Sequence, residues 1–198
     1  TLFGRNYAAM KNQPYGDQVT WENHWDFLYT RNNNIAFNDV SDVMKDFNDG
    51  GGIYAFGAGK NNVIDNNRFH DIVSGHPSGS DAMGIYLDNS ADYFRVENNI
   101  VYGIDGTRSY PIQTRGAYNT FDNNIIVDNS NVAYTGSGWY PPDMRLILEA
   151  DPTQQYPEAT YGHHTATRNI FYRQDGYHVY VFSRWQTINA STNVDEVD

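Results

Sequence analysis

A recurring pair of amides followed by strand-forming residues constrains this chain more than any other feature. It occurs as Asn33-Asn34-Ile35-Ala36-Phe37, Asn66-Asn67-Arg68-Phe69, Asn98-Asn99-Ile100-Val101-Tyr102 and Asn123-Asn124-Ile125-Ile126-Val127. It returns with arginine leading in Arg168-Asn169-Ile170-Phe171-Tyr172. The second Asn falls at 34, 67, 99, 124 and 169, at intervals of 33, 32, 25 and 45. A second strand signal precedes four of these motifs: Gly52-Ile53-Tyr54, Gly84-Ile85-Tyr86, Pro111-Ile112-Gln113 and Leu146-Ile147-Leu148. Helical 3.6-residue periodicity is nearly absent.

Short strands repeated at such a period, with Asn recurring at one place, specify a stacked architecture. A single unit of this size cannot bury its apolar face alone. Stacking units at about 4.8 Å builds parallel sheets around one core, and brings like residues above one another. Asn suits the turns because it tolerates left-handed backbone and hydrogen-bonds locally. Stacked amides can form a ladder in which each gives to one neighbour and accepts from the other. The reading is therefore an all-β right-handed parallel β-helix (solenoid), with extra residues looped out on one face. A β-sandwich predicts hairpin signals every 8 to 12 residues or so, and tight Asn-Gly or Asp-Gly turns are scarce here.

Composition bounds the partners. The 198 residues carry a formal net charge of -11, which repels nucleic acid and other polyanions at long range. An acidic polysaccharide would need Ca²⁺ or a local basic patch; no motif calls for another cofactor or a metal. Cysteine is absent, so disulfide frameworks and thiolate metal sites are excluded. No run approaches the roughly 18 apolar residues of a membrane span. The 23 Asn and 16 Tyr suit turns and strands, and exposed aromatic rings suit the apolar faces of sugars. The chain begins with Thr1 and shows no capping helix at either end, so residues 1–198 read as a single β-helix domain, a fragment of a larger protein. Further coils or another chain would cover its strand edges.

Aligning Ile53, Ile85, Ile112 and Leu146 stacks polar residues. Asp49 and Asp81 each lie four positions before their Ile, while Asp88, Arg115 and Glu149 form a column three positions after. Glycosidic hydrolysis needs a proton donor and a second carboxylate. They stand about 5–5.5 Å apart in retaining enzymes and about 6.5–9.5 Å in inverting ones. One step of the stack is about 4.8 Å and two steps twice that, so such a face supplies either spacing. Arg115 between two carboxylates would hold at least one of them ionised.

The ordered set Asp49-Gly50-Gly51-Gly52-Ile53-Tyr54, then Asn66-Asn67-Arg68-Phe69-His70-Asp71-Ile72, then Gly84-Ile85-Tyr86-Leu87-Asp88 and Asn98-Asn99-Ile100 resembles the pectate-lyase-like parallel β-helix superfamily. Within it the run is similar to bacterial glycoside hydrolases of the fucosidase/xylanase type, over roughly residues 30 to 190. The resemblance implies a secreted or periplasmic bacterial enzyme acting on a plant or algal polysaccharide or oligosaccharide. It implies Asp49 and Asp88 as the catalytic pair. These lie seven strand positions apart in the alignment, about 23 Å if extended, so the chain must bend at its glycines for them to meet. Without a bend, Asp88 and Glu149 form the better pair.

His70, Arg115, Tyr54, Tyr86, His76 and Trp139 are the candidates for substrate binding. His70 suits orientation or proton transfer near neutrality. His76 lies in a loop between coils, and Trp139 sits in the aromatic loop Tyr134 to Pro142. Gly57-Ala58-Gly59-Lys60 lacks the Ser/Thr and helix of a phosphate loop. His163 and His164 are neighbours in a strand and face opposite ways. Two other readings stay open: a polysaccharide lyase on the same fold, and a non-catalytic adhesin- or tailspike-like binding protein.

Overall fold

The computed structural model describes residues 7–75, 81–105, 109–128, 146–149, 163–173, 181–184 and 194–197. Regular structure in these residues is almost entirely strand, and it comes in triplets. The first is β1 (Asn34–Ala36), β2 (Asp39–Ser41) and β3 (Gly50–Ala55), and the second β4 (Val63–Asp65), β5 (Arg68–Val73) and β6 (Ala82–Leu87). The third is β7 (Arg95–Glu97), β8 (Ile100–Asp105) and β9 (Tyr110–Thr114), and the fourth β10 (Thr120–Asp122), β11 (Ile125–Asp128) and β12 (Leu146–Glu149). Strands β13 (His164–Thr167), β14 (Ile170–Arg173) and β15 (Val181–Arg184) follow, then β16 (Val194–Val197).

Each triplet sends one strand to each of three sheets, ordered β1-β4-β7-β10-β13-β16, β2-β5-β8-β11-β14 and β3-β6-β9-β12-β15. The strand pairings are parallel. A hairpin-built sandwich would pair its strands antiparallel, so that alternative falls.

Register explains why these sequences form these strands. Ile35, Ile64, Val96, Phe121 and Ala166 align across the first sheet. Val40, Phe69, Val101, Ile126 and Phe171 align across the second. Ile53, Ile85, Ile112 and Leu146 align across the third, as the sequence alignment expects. All three sheets feed one core, in which Ile64, Phe69, Ile85 and Ile112 are wholly buried. Each such side chain contributes about 1.5–3 kcal/mol relative to exposure.

The turn between the first and second sheets carries the amide ladder. Asn38, Asn67, Asn99 and Asn124 each donate through Nδ2 to the Oδ1 of the next member, ending at Asn169, over 2.9–3.0 Å. The residue before each member has positive φ: Phe37 (59°), Asn66 (53°), Asn98 (57°), Asn123 (53°) and Arg168 (55°). The first rung is Asn38, not the expected Asn34, which lies within β1 opposite Val63. Its neighbour Asn33 donates separately to Asn62 Oδ1 at 2.9 Å. The Asn-Asn-Ile signature therefore marks one turn in the first triplet and a different turn in the later ones.

Helix α1 (Tyr7–Lys11) and two short 3₁₀ turns, Gly16–Gln18 and His24–Phe27, precede the strands. Met10, Val19, Trp21, Trp25 and Leu28 form a buried cluster of their own. Sequence periodicity does not reveal this segment, because its helical pieces are only three to five residues long. Trp25 meets Tyr93 edge-on at 5.0 Å, and its Nε1 donates to the buried Asp92 at 2.9 Å. Among the described residues no helix is long and apolar enough to cross a membrane.

Candidate functional site

The third sheet departs from strict alternation. A Cβ on Gly84 would meet Val101 and Ile104 of the core, and Ile85 next to it is also a core residue. Gly52 and Ile53 repeat this one strand earlier: a Gly52 Cβ would meet Phe69 and Ile72, and Ile53 packs on the core. Two successive residues therefore turn inward, and only glycine fits so close a backbone approach. Residues before and after this step, Met83 and Tyr86, line one cavity of about 160 Å³. Asp49, Asp81, Tyr110, Gln113 and Arg115 complete its walls.

Asp49 and Asp81 are neighbours on adjacent rungs. Asp49 precedes β3, Asp81 precedes β6, and the Asp49 backbone amide donates to the Asp81 carbonyl at 3.1 Å. Asp49 takes a left-handed backbone (φ 57°), which Asp accepts more readily than most residues.

Asp88 sits behind the wall, with its side chain 5% exposed. Tyr54 donates its hydroxyl to Asp88 Oδ2 at 2.8 Å, and Arg115 Nη1 stands 3.4 Å from Asp88 Oδ1. Arg115 itself lines the cavity, so Asp88 holds the cation that the cavity sees. Tyr86 is nearly buried and packs edge-on against Tyr54, with ring centroids 5.3 Å apart. Burial pushes its phenol well above the usual tyrosine range. The charges of Asp88 and then Asp49 add to this, and Arg115 opposes it. Asp49 and Asp88 thus both act on the same phenol.

Of the other sequence candidates, Glu149 closes β12 next to Leu148, which pairs with Thr114, so its backbone continues the Asp88 and Arg115 column. The side chain of Glu149 lies outside what the structure describes, as do His76 and Trp139. His70 is brought elsewhere, into β5 of the second sheet. Its Nδ1 meets Asp71 at 2.7 Å, its Nε2 meets Asp39 at 2.8 Å, and its ring stacks on Tyr102 at 4.9 Å. Both carboxylates favour the imidazolium. His70 is raised above the usual histidine value by Asp71 first, against its burial, and further by Asp39. Arg68 and His70 hold the Asp39 carboxyl down to about 2.

Sequence reasoning does not single out Tyr110 and Gln113. The signal is present once register is known, since Tyr110 pairs with Met83 and Gln113 with Tyr86. The first sheet borders a larger cavity of about 460 Å³, lined by Asn61, Val63, Tyr93, Phe94, Arg95, Tyr118 and Thr120. No carboxylate is among those residues, so they offer no carboxyl pair for hydrolysis. Among the described residues no cluster of three or more His, Asp or Glu is arranged to hold a metal ion. Comparison with protein-family models, with curated proteins and with solved structures gives no match.

Proposed function

We propose that this chain is a right-handed parallel β-helix of the pectate-lyase-like superfamily. On this reading it is a bacterial glycoside hydrolase, secreted or periplasmic, that cuts a plant or algal polysaccharide or oligosaccharide in the third-sheet cavity. The observation that carries the reading is the meeting of paired carboxylates, a guanidinium and tyrosines around one small polar cavity. Its room of about 160 Å³ equals roughly five waters at ~30 Å³ each. That suits one sugar ring rather than a long section of chain. The triplet topology, the shared core and the amide ladder support the β-helix part of the proposal.

On this reading a carboxylic acid protonates the departing glycosidic oxygen and a carboxylate acts at the anomeric carbon. Arg115 orients a hydroxyl, and Asp88 with Tyr54 holds Arg115 in place. A polysaccharide lyase is the weaker alternative, because the described walls hold two carboxylates and one cation where a uronate group would need neutralising.

The test incubates the purified chain with oligosaccharides from xylan, fucan, pectin and alginate, and follows reducing ends and ultraviolet absorbance together. New reducing ends without absorbance support a hydrolase. Unsaturated, absorbing products identify a lyase. Binding without turnover of any substrate leaves the adhesin-like reading.

A further inference from the structure

We infer that Asp81, which belongs to neither pair suggested by sequence, is the catalytic partner of Asp49, and that the enzyme retains anomeric configuration. The inference rests on the hydrolase reading above and deepens it.

Three observations carry it. Asp49 and Asp81 both line the cavity, whereas Asp88 does not. They lie on adjacent rungs, joined by the hydrogen bond from Asp49 N to Asp81 O and followed by the register pair Gly50 and Ala82. Adjacent rungs are about 4.8 Å apart. Side chains leaving backbones so spaced can bring their carboxyls to the roughly 5–5.5 Å used for double displacement. Asp88 and Glu149 are two rungs apart, about twice the spacing, and Asp88 is engaged by Tyr54 and Arg115.

The roles follow from exposure. Asp81 is half-buried and Asp49 exposed. Asp49, the more open of the two to an incoming sugar, is assigned as the nucleophile and Asp81 as the acid. Asp81 gives its proton to the glycosidic oxygen as the bond from that oxygen to the anomeric carbon breaks. An Asp49 oxygen bonds to the anomeric carbon, forming a glycosyl ester. Water then passes a proton to Asp81 and attacks the same carbon. The ester bond breaks, restoring the Asp49 carboxylate and the Asp81 acid. Two inversions give net retention.

The deciding experiment uses the whole chain and the same xylan, fucan, pectin and alginate oligosaccharides, with the first anomer released read by proton NMR. Retention is expected. Asp81→Asn is expected to lower kcat by about 10²–10⁴-fold, with sodium azide giving a glycosyl azide of the substrate's configuration. A merely structural aspartate would show no such rescue. Circular dichroism of Asp81→Asn checks its fold, and the wild-type anomer test needs no variant. Hydrolysis with inversion, or an Asp81→Asn variant with wild-type kcat, overturns the pairing and leaves the hydrolase reading standing. No hydrolysis of any oligosaccharide overturns both.

Discussion

Asn67 donates both its backbone amide and its side-chain amide to one oxygen, Oδ1 of Asn99, each at 3.0 Å. Asn99 repeats the arrangement toward Asn124, and its Nδ2 also satisfies the Ile64 carbonyl at 2.9 Å. Asn99 is fully buried, whereas Asn38 at the start of the ladder is exposed. Asn99→Ala should therefore cost roughly 1–3 kcal/mol for each buried group left unsatisfied. Asn38→Ala should stay within about 0.5 kcal/mol of the parent. Urea unfolding of both variants checks the contrast; equal losses would show that burial of the ladder is not what stabilises it.

Gly84 is the tightest point of the step that forms the cavity. A Cβ there would lie 2.5 Å from Val101 Cγ1 and 2.6 Å from the Pro111 carbonyl oxygen. Backbone cannot move aside as a flexible side chain can, so Gly84→Ala should lose about 1–3 kcal/mol through overpacking. A thermal unfolding midpoint unchanged by this substitution would refute the close approach.

Trp25 ties the N-terminal segment to the strands through Asp92. The Asp92 carboxylate is buried and accepts from Trp25 Nε1 at 2.9 Å and from the Ala117 amide at 2.7 Å. Trp25→Phe keeps an aromatic ring but removes one donor. It should destabilise the protein by about 1–3 kcal/mol, and Asp92→Asn in the same background should recover part of that loss. Denaturant titration of the single and double variants measures the coupling.

The cluster of Asp39, Arg68, His70 and Asp71 makes the second sheet sensitive to pH. Asp39 is lowered from 3.8 to about 2, so its contribution is present above pH 3.8 and fades as pH falls toward 2. His70 is raised above 6.5, so its contribution is complete below pH 6.5 and fades as pH rises through its folded value. NMR titration of His70 should give a midpoint above 6.5, with Asp39→Asn lowering it. High salt should lower it too, because the Asp39 and Asp71 carboxylates that raise it are more than half-exposed and screened. A midpoint at or below 6.5 in the parent protein would contradict the two carboxylate contacts.

Parallel strands, the stacked amides and the alignment of Ile53, Ile85, Ile112 and Leu146 were legible in the sequence by itself. They depend on repetition, and stacking like on like converts a sequence period directly into a spatial neighbour. The same logic set Asp49 beside Asp81, and Arg115 after Asp88 in one column. It misassigned the first rung, because Asn34 and Asn38 both sit near turns and only hydrogen bonding tells them apart. Tertiary structure alone decided which polar residues share a cavity. The inward-turning pair at Gly84 and Ile85 breaks the alternation from which side-chain direction is read, so Asp81 and Met83 reach the cavity wall; Gln113 joins them by its register with Tyr86, and Asp88 does not line the cavity. His70 was drawn away from the site for a related reason. Nearness along the chain to Asp71 and Tyr86 says nothing about which sheet a strand joins, and β5 and β6 join different ones.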